Sequence, residues 1–324
     1  MFQFSIGEPN MPAMIITLAV GLVLALVLAA LPMHKEGVTG KGIALALVLS
    51  PVLGCLFSHL FYCLMQLSFV LYDLGARAFI DFSAGKHMLY GGMFGVFVAL
   101  LIASKASGVK FGKIADGFAP AGFLFIVAVR LAEGYFGQGY GEYIEEINGF
   151  CRFPFAAYDP YYESWNWALF AGEAVWALLI FVITLCMKGR QPAGDRALLG
   201  LGMYASAQII FESLRRDDFL RWGFVRCSEL FSGILLLTVL VIYLARGKNT
   251  GHILAKTLWM VLFFAMVALC MLLEFATEGR IPFLQFLETP AQCYLVMTAC
   301  CAVILGCVLA IRHLSYAKEE ALAA

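Results

Sequence analysis

Arg130 and Glu133 stand three residues apart at the end of a long apolar run, and the chain repeats that combination elsewhere. Gln208, Glu212 and Arg215 close another apolar run, while Arg226 and Glu229 open the next. Spacings of three and four put such residues on one helix face. Tyr90-Gly91-Gly92 opens a further run, and Glu163 and Asn166 lie in the aromatic stretch that leads into yet another. Guanidinium forks match phosphate oxygens in geometry and charge. Neighbouring carboxylates and amides can orient the forks or accept protons. The chemistry open to this set is the capture of an anionic headgroup where helices end at a membrane surface. Ionisable groups in or near membrane spans are costly and read as functional by default.

Plainer roles exist for each member. A single interfacial Arg or Tyr is an anchor in most membrane proteins. Gly91 and Gly95 fit a small-residue helix contact, and Pro120 fits a tolerated kink. His59 and His87 read as isolated histidines, and the Arg215–Asp218 stretch as a solvated loop. The convergence of five helix ends is what raises the site above these roles.

The elements that must position these residues follow from composition. The chain is 62% hydrophobic and 14% charged, with a mean hydropathy of +0.86. Soluble domains carry roughly 25% charged residues, so this is an all-α polytopic membrane protein. Nine spans are expected, at about 12–33, 42–66, 88–104, 114–132, 165–187, 197–213, 228–245, 254–274 and 291–311. Each suits a bilayer that takes roughly 20 apolar residues to cross. A formal net charge of zero gives no footprint for nucleic acid. Most of the ten cysteines sit singly in apolar runs, without zinc spacing. Cys151 and Cys227 fall in loops, where a disulfide is conceivable. Met1 to Asn10 has no basic region, so the first span is not expected to be a cleaved signal peptide.

Lysine and arginine placement sets the expected orientation. Lys35, Lys41, Lys105, Lys110, Lys113, Lys188, Arg190, Arg196, Arg246, Lys248, Lys256, Arg312 and Lys318 all fall on one side of nine alternating spans. That side holds 13 of the 22 basic residues and nine of the ten lysines. The other side holds Glu133, Glu142, Glu145, Glu146, Asp159, Glu163, Asp217, Asp218, Glu278 and Glu288. The N-terminus is therefore expected outside and the C-terminus in the cytoplasm. Asp116 then lies at the cytoplasmic end of its span and reads as structural. Arg130, Glu133 and the Gly/Tyr-rich loop 133–164 lie outside, the loop being a candidate cover or acceptor-binding arm. Its length of about 32 residues is far above the usual median near 4–6.

Four segments resemble those of the prolipoprotein diacylglyceryl transferases of bacterial plasma membranes. Tyr90-Gly91-Gly92 resembles a His-Gly-Gly segment. The stretch from Ile114 through Asp116, Pro120 and Arg130 to Gly141 is similar, without gaps, to a Leu-Ala-Asp…Ala-Pro…Arg-x-Gly-Asn-Phe pattern. Asp159-Pro160 followed by Tyr162 to Asn166 is similar to a His-Pro-Thr…Tyr-Glu-Ser-x-Trp-Asn segment, and Gln208 through Glu212 to Arg215 to an Arg-Phe…Glu-Phe-x-Arg motif. The resemblance covers roughly residues 10–245. It implies transfer of a diacylglyceryl group from phosphatidylglycerol to the lipobox cysteine of prolipoproteins at the outer leaflet. No cofactor or metal would be required.

By resemblance, Arg130 would hold the phosphate, with Arg215 supporting it, Glu212 orienting it and Arg226 able to compensate for a lost cation. Tyr90, Glu133 and Glu212 would be catalytic, with Gly91, Gly92, Gln138, Glu163, Asn166 and Gln208 in support. Glu133, Glu212 and His87 are the candidate bases for the thiol. The chain departs from the pattern at Tyr90, usually histidine, Glu133, usually asparagine, and Phe136, usually polar. It departs again at Gln138, usually glutamate, and Gln208, usually arginine. A catalytically altered or silent relative that binds phospholipid headgroups is the alternative reading, and a membrane transporter a distant third. The expected division is a transferase-like membrane domain over 1–245 and, over 246–324, two additional helices with a short cytoplasmic tail.

Overall fold

The structure is a computed structural model that describes residues 5–145, 147, 149–187, 192–217, 220–222, 225–248, 251–277 and 289–323. Glu146, Lys188, Arg190, Asp218, Glu278 and Glu288 of the charge pattern lie outside the described residues. Among the described residues, nine helices are long and apolar enough to cross a membrane. These are α1 (Met11–Lys35), α2 (Gly40–Met65), α3 (Leu89–Ser107), α4 (Phe111–Tyr135) and α5 (Leu169–Cys186). They continue with α6 (Asp195–Leu214), α7 (Cys227–Arg246), α8 (Ile253–Thr277) and α9 (Pro290–Ala323). Two compact units divide the chain: Met1–Gly200 with Arg215–Cys227, and Leu201–Leu214 with Ser228–Ala324.

In the first unit α1 packs along α4, α2 along α3, and α4 along α5. Local chemistry starts the helices. Asn10 Oδ1 accepts from the Ala13 N–H at 3.1 Å, with Pro12 in the first turn of α1. Thr39 Oγ1 accepts from the Gly42 N–H at 3.3 Å at the start of α2. Both side chains satisfy N–H groups that a helix start leaves open. Gly108, at φ +70°, ends α3 in the left-handed region, where a side chain would clash.

Helix α4 is the axis of this unit: 61% of its span is buried, against 17% for α1 and for α2. Ala25, Ala29 and Met33 of α1 share a core with Ile114, Phe118 and Ala121 of α4. The two helices run antiparallel, because the Asn10 N–H at the start of α1 donates to the Tyr135 carbonyl at the end of α4 at 2.7 Å. Asp116, at the other end of α4, accepts from the backbone N–H groups of Gly194 and Ala197, the latter at 3.0 Å. It holds the start of α6 against α4, a structural role of the general kind expected from sequence.

The loop between α4 and α5 is folded. Strands β1 (Ala156–Asp159) and β2 (Ser164–Trp167) pair antiparallel, with Asp159 opposite Ser164. Ser5 bridges to Tyr158 on one side, and Tyr143 bridges to Asn166 on the other. Span five therefore starts at Leu169 and not at residue 165. Trp165, Asn166 and Trp167 satisfy their backbone in the hairpin ladder rather than in a helical turn. A second small hairpin pairs β3 (Arg221–Trp222) with β4 (Val225–Arg226). No disulfide joins Cys151 and Cys227, and Cys227 is buried at the first residue of α7.

In the second unit α8 packs along α9. Lys256 of α8 is buried and donates from Nζ to the Gly247 carbonyl at 2.5 Å, just past the end of α7.

The α2–α3 contact rests on small residues, as the Gly91/Gly95 spacing suggested. A Cβ on Gly95 would collide with the Leu53 carbonyl, and one on Gly91 would meet the Phe57 carbonyl and the Phe61 side chain. Gly233 of α7, by contrast, has open space where a Cβ would stand. Gly95→Ala should lower the thermal midpoint of the detergent-solubilised protein by several degrees, while Gly233→Ala leaves it unchanged or raises it. Differential scanning fluorimetry of the two variants checks the contrast.

Candidate functional site

Arg130 and Glu133 lie on one face of the last turns of α4, because residues three apart share a face. Arg130 Nη1 donates to Glu133 Oε2 at 2.7 Å, and its Nε stands 3.0 Å from Oε2 of Glu173 on α5. Arg215, just past the end of α6, reaches the other oxygen of Glu133 with Nη2 and stands 4.0 Å from Glu173 with Nη1. Its Nε and Nη2 also grip Asp217 side-on, at 2.9 and 2.7 Å. That two-point fork is the strongest geometry available to a guanidinium and a carboxylate. The Asp217 carboxylate accepts in addition from the Gly139 N–H at 2.7 Å, which ties the turn after α4 to the segment after α6.

The network is buried: Arg215 and Glu173 are 1% exposed and Arg130 5%. A charge taken out of water must be compensated in place. Here two guanidiniums share three carboxylates, and Arg226 brings a third cation beside them. Arg226 is also buried and donates to the backbone carbonyls of Arg215 at 2.6 Å and Asp217 at 3.2 Å. It clamps the segment that carries Arg215, so its observed contacts are to that backbone.

The structure brings together Arg130, Glu133, Arg215 and Arg226 of the residues proposed from sequence. Gln138 follows in the turn after α4, its N–H donating to the Glu133 carbonyl at 3.1 Å. Tyr90 is buried in the first turn of α3. Gly92 faces Gly54 and Ser58 at ordinary contact distance. Asn166 braces the loop, donating to the Gly141 carbonyl at 3.2 Å. Glu163 is not brought to the network; it is exposed at the turn of the β1–β2 hairpin, at φ +51°. Gln208 and Glu212 lie in the second compact unit. There Gln208 Nε2 donates to Glu212 Oε1 at 3.0 Å, one turn apart on α6, and both are buried.

Two members escaped the sequence reading. Glu173 stands inside the apolar span Leu169–Cys186, and a lone carboxylate there was the available signal. Asp217 read as part of a solvated loop but is 7% exposed and holds Arg215. Nothing in its neighbours along the chain announces that burial. His59 is likewise not isolated, since its ring centroid lies 5.7 Å from that of His87.

Burial by itself would raise the Asp217 pKa, but the charge of Arg215, its hydrogen bonds and the Gly139 N–H outweigh it and leave the group below the usual aspartate value. Such a group contributes stability that is complete above the ordinary aspartate pKa, near 3.9, and drains away as pH falls through the lower folded value. The thermal midpoint of the wild type should therefore fall on acidification below about pH 4 more steeply than that of Asp217→Asn. At neutral pH the variant should already be the less stable of the two. Unfolding scans across pH 3 to 7 in detergent separate these outcomes.

The family profile described as prolipoprotein diacylglyceryl transferase matches residues 3–245. A Clostridium kluyveri protein named phosphatidylglycerol–prolipoprotein diacylglyceryl transferase is 26% identical over 255 residues, covering 76% of this chain and 97% of that relative. A Streptococcus pyogenes serotype M5 protein of the same name is 25% identical over 244 residues, covering 71% and 89%. The profile match spans most of the chain, and nine helices among the described residues are long and apolar enough to cross a membrane: the chain belongs to the prolipoprotein diacylglyceryl transferase family, multi-pass enzymes of the bacterial plasma membrane.

Proposed function

We propose that this chain transfers the diacylglyceryl group of phosphatidylglycerol to the thiol of a lipobox cysteine in a prolipoprotein, releasing glycerol phosphate. The observation that carries the site assignment is the pair Arg130 and Arg215, held side by side by Glu133 and Glu173 where α4 ends and α5 begins. Transfer forms a bond from cysteine sulfur to the glyceryl carbon and breaks that carbon's bond to phosphate oxygen. The phosphate leaves with the electron pair. Cations fixed in place before reaction stabilise that charge without having to reorganise. The carboxylates fix where each fork stands; Asp217 and Arg226 hold the segment that supplies Arg215. Family membership supports the substrates, and the paired guanidiniums support headgroup phosphate binding.

The lysine count supports an outer position for this helix end, with the N-terminus outside and the C-terminus cytoplasmic. The profile match ends at residue 245, which supports reading α8 and α9 as additions to the transferase core. A relative that binds the headgroup without transferring it is the second reading. Tyr90, where the family pattern has histidine, is the observation that favours it.

Reconstitution in phosphatidylglycerol vesicles with a labelled lipobox peptide decides between them. Arg130→Ala should lower transfer by about 100-fold or more. Arg190→Ala should keep it, since the charge pattern assigns Arg190 to the opposite face. Equal effects of the two substitutions would overturn the site. Phosphatidylglycerol binding by a wild type that transfers nothing would select the second reading.

A further inference from the structure

The second unit carries a cationic cluster that the transfer reaction does not use. Helix α7 ends at Arg246, α8 starts at Ile253, and the far part of α9 carries Arg312, Ser315 and Tyr316. Gly247 is where the three meet. A Cβ there would stand 2.6 Å from Lys256 Nζ and 2.6 Å from Ser315 Oγ. The two polar atoms therefore converge on one point, Lys256 from α8 and Ser315 from α9. Beside it Arg246 Nη1 donates to the Tyr316 hydroxyl at 2.9 Å, and the Arg312 guanidinium stands 5.9 Å from the centre of the same ring.

Part of this is ordinary helix ending. Basic side chains often cover the carbonyls where a helix stops, and Lys256 does so just past α7. That role does not account for Ser315. The residue is 4% exposed, and its Oγ has no hydrogen-bond partner among the described residues. Buried polar atoms are nearly always hydrogen-bonded, so this hydroxyl calls for a partner from outside the chain.

An anion fits that description. The Gly247 carbonyl accepts from the Lys256 ammonium but brings no net charge to a side chain that is itself buried. From Arg246 to Leu273 and from Thr289 to Lys318 the sequence holds no Asp or Glu. Ammonium, guanidinium and hydroxyl are all donors, and phosphate oxygens accept from such a set with charge assistance. Basic pockets between helices at a cytoplasmic membrane face suit acidic headgroups.

We infer that the α7–α9 junction binds a phosphate group, held by Lys256 and Ser315 with Arg246 and Arg312 at its rim. The lysine count supports a cytoplasmic position for it, where an inner-leaflet headgroup or a free phosphate could supply the group. Once bound, the phosphate ties α8 and α9 to the end of α7. The site is separate from Arg130 and Arg215 and does not depend on the transfer activity proposed above.

Full-length protein in neutral detergent tests this with two probes. Phosphatidic acid adducts are followed by native mass spectrometry, and inorganic phosphate by titration calorimetry. Lys256→Gln should weaken binding about ten-fold and Ser315→Ala about three-fold. Ser315→Ala removes a buried hydroxyl without a partner, so its thermal midpoint without probe should equal or exceed that of the wild type. A loss of its binding is then not a loss of fold. Such losses in the lipid titration support the site with the headgroup as its source; losses in the phosphate titration support it with the free ion. Binding at the arginine network adds equally to every protein compared, so neither result turns on whether the chain transfers. Equal binding by wild type, Lys256→Gln and Ser315→Ala with both probes overturns the inference. So does an equal loss in Lys105→Gln, a cation of the first unit, or a wild type that binds neither probe.

Discussion

The structure of the first unit depends on one constraint: buried charges must be neutralised where they stand. Arg130, Glu133, Glu173, Arg215 and Asp217 come from α4, α5 and the segment after α6, and none would be tolerated there alone. Removing one partner of a buried ion pair typically costs about 3–5 kcal/mol. The network therefore locks three stretches of chain to one another more firmly than apolar packing between lipid-facing helices could. Between membrane helices the hydrophobic drive is weak, because lipid tails are as apolar as leucine.

Helix α4 is fixed at both ends by polar contacts of different kinds. At one end Asp116 takes two backbone N–H groups from the entry to α6. At the other, Arg130 and Glu133 take side chains from α5 and from beyond α6. Between these ends the contacts are small and apolar, and α1 approaches closely where Gly117 faces the backbone of Met33. A rigid strut of this kind holds two guanidiniums in a set relation. That is the preorganisation a phosphate-leaving reaction needs.

The same logic extends to the loops. The α4–α5 connection folds into a hairpin edged by Ser5 and Tyr143, and the α2–α3 connector is stitched down by Ser58 and His59. Both satisfy their backbone by pairing with other chain segments, and both frame the helix end that carries the network. Functional groups supplied by loops are useful only when the loops are held this way.

Helix number, approximate span limits and the pairing of Arg130 with Glu133 were legible in the sequence, because apolar runs and i, i+3 spacing are local properties of the chain. Asp116 was legible as structural for the same reason. Tertiary structure alone decided that Glu173, some 40 residues away, completes the set, and that Asp217 is a buried anchor rather than a loop charge. It also decided that Trp165 to Trp167 belong to a strand and that Arg226 grips backbone. Each of these depends on which distant groups share a low-dielectric space, and electrostatic pairing there follows distance in space, not separation along the chain.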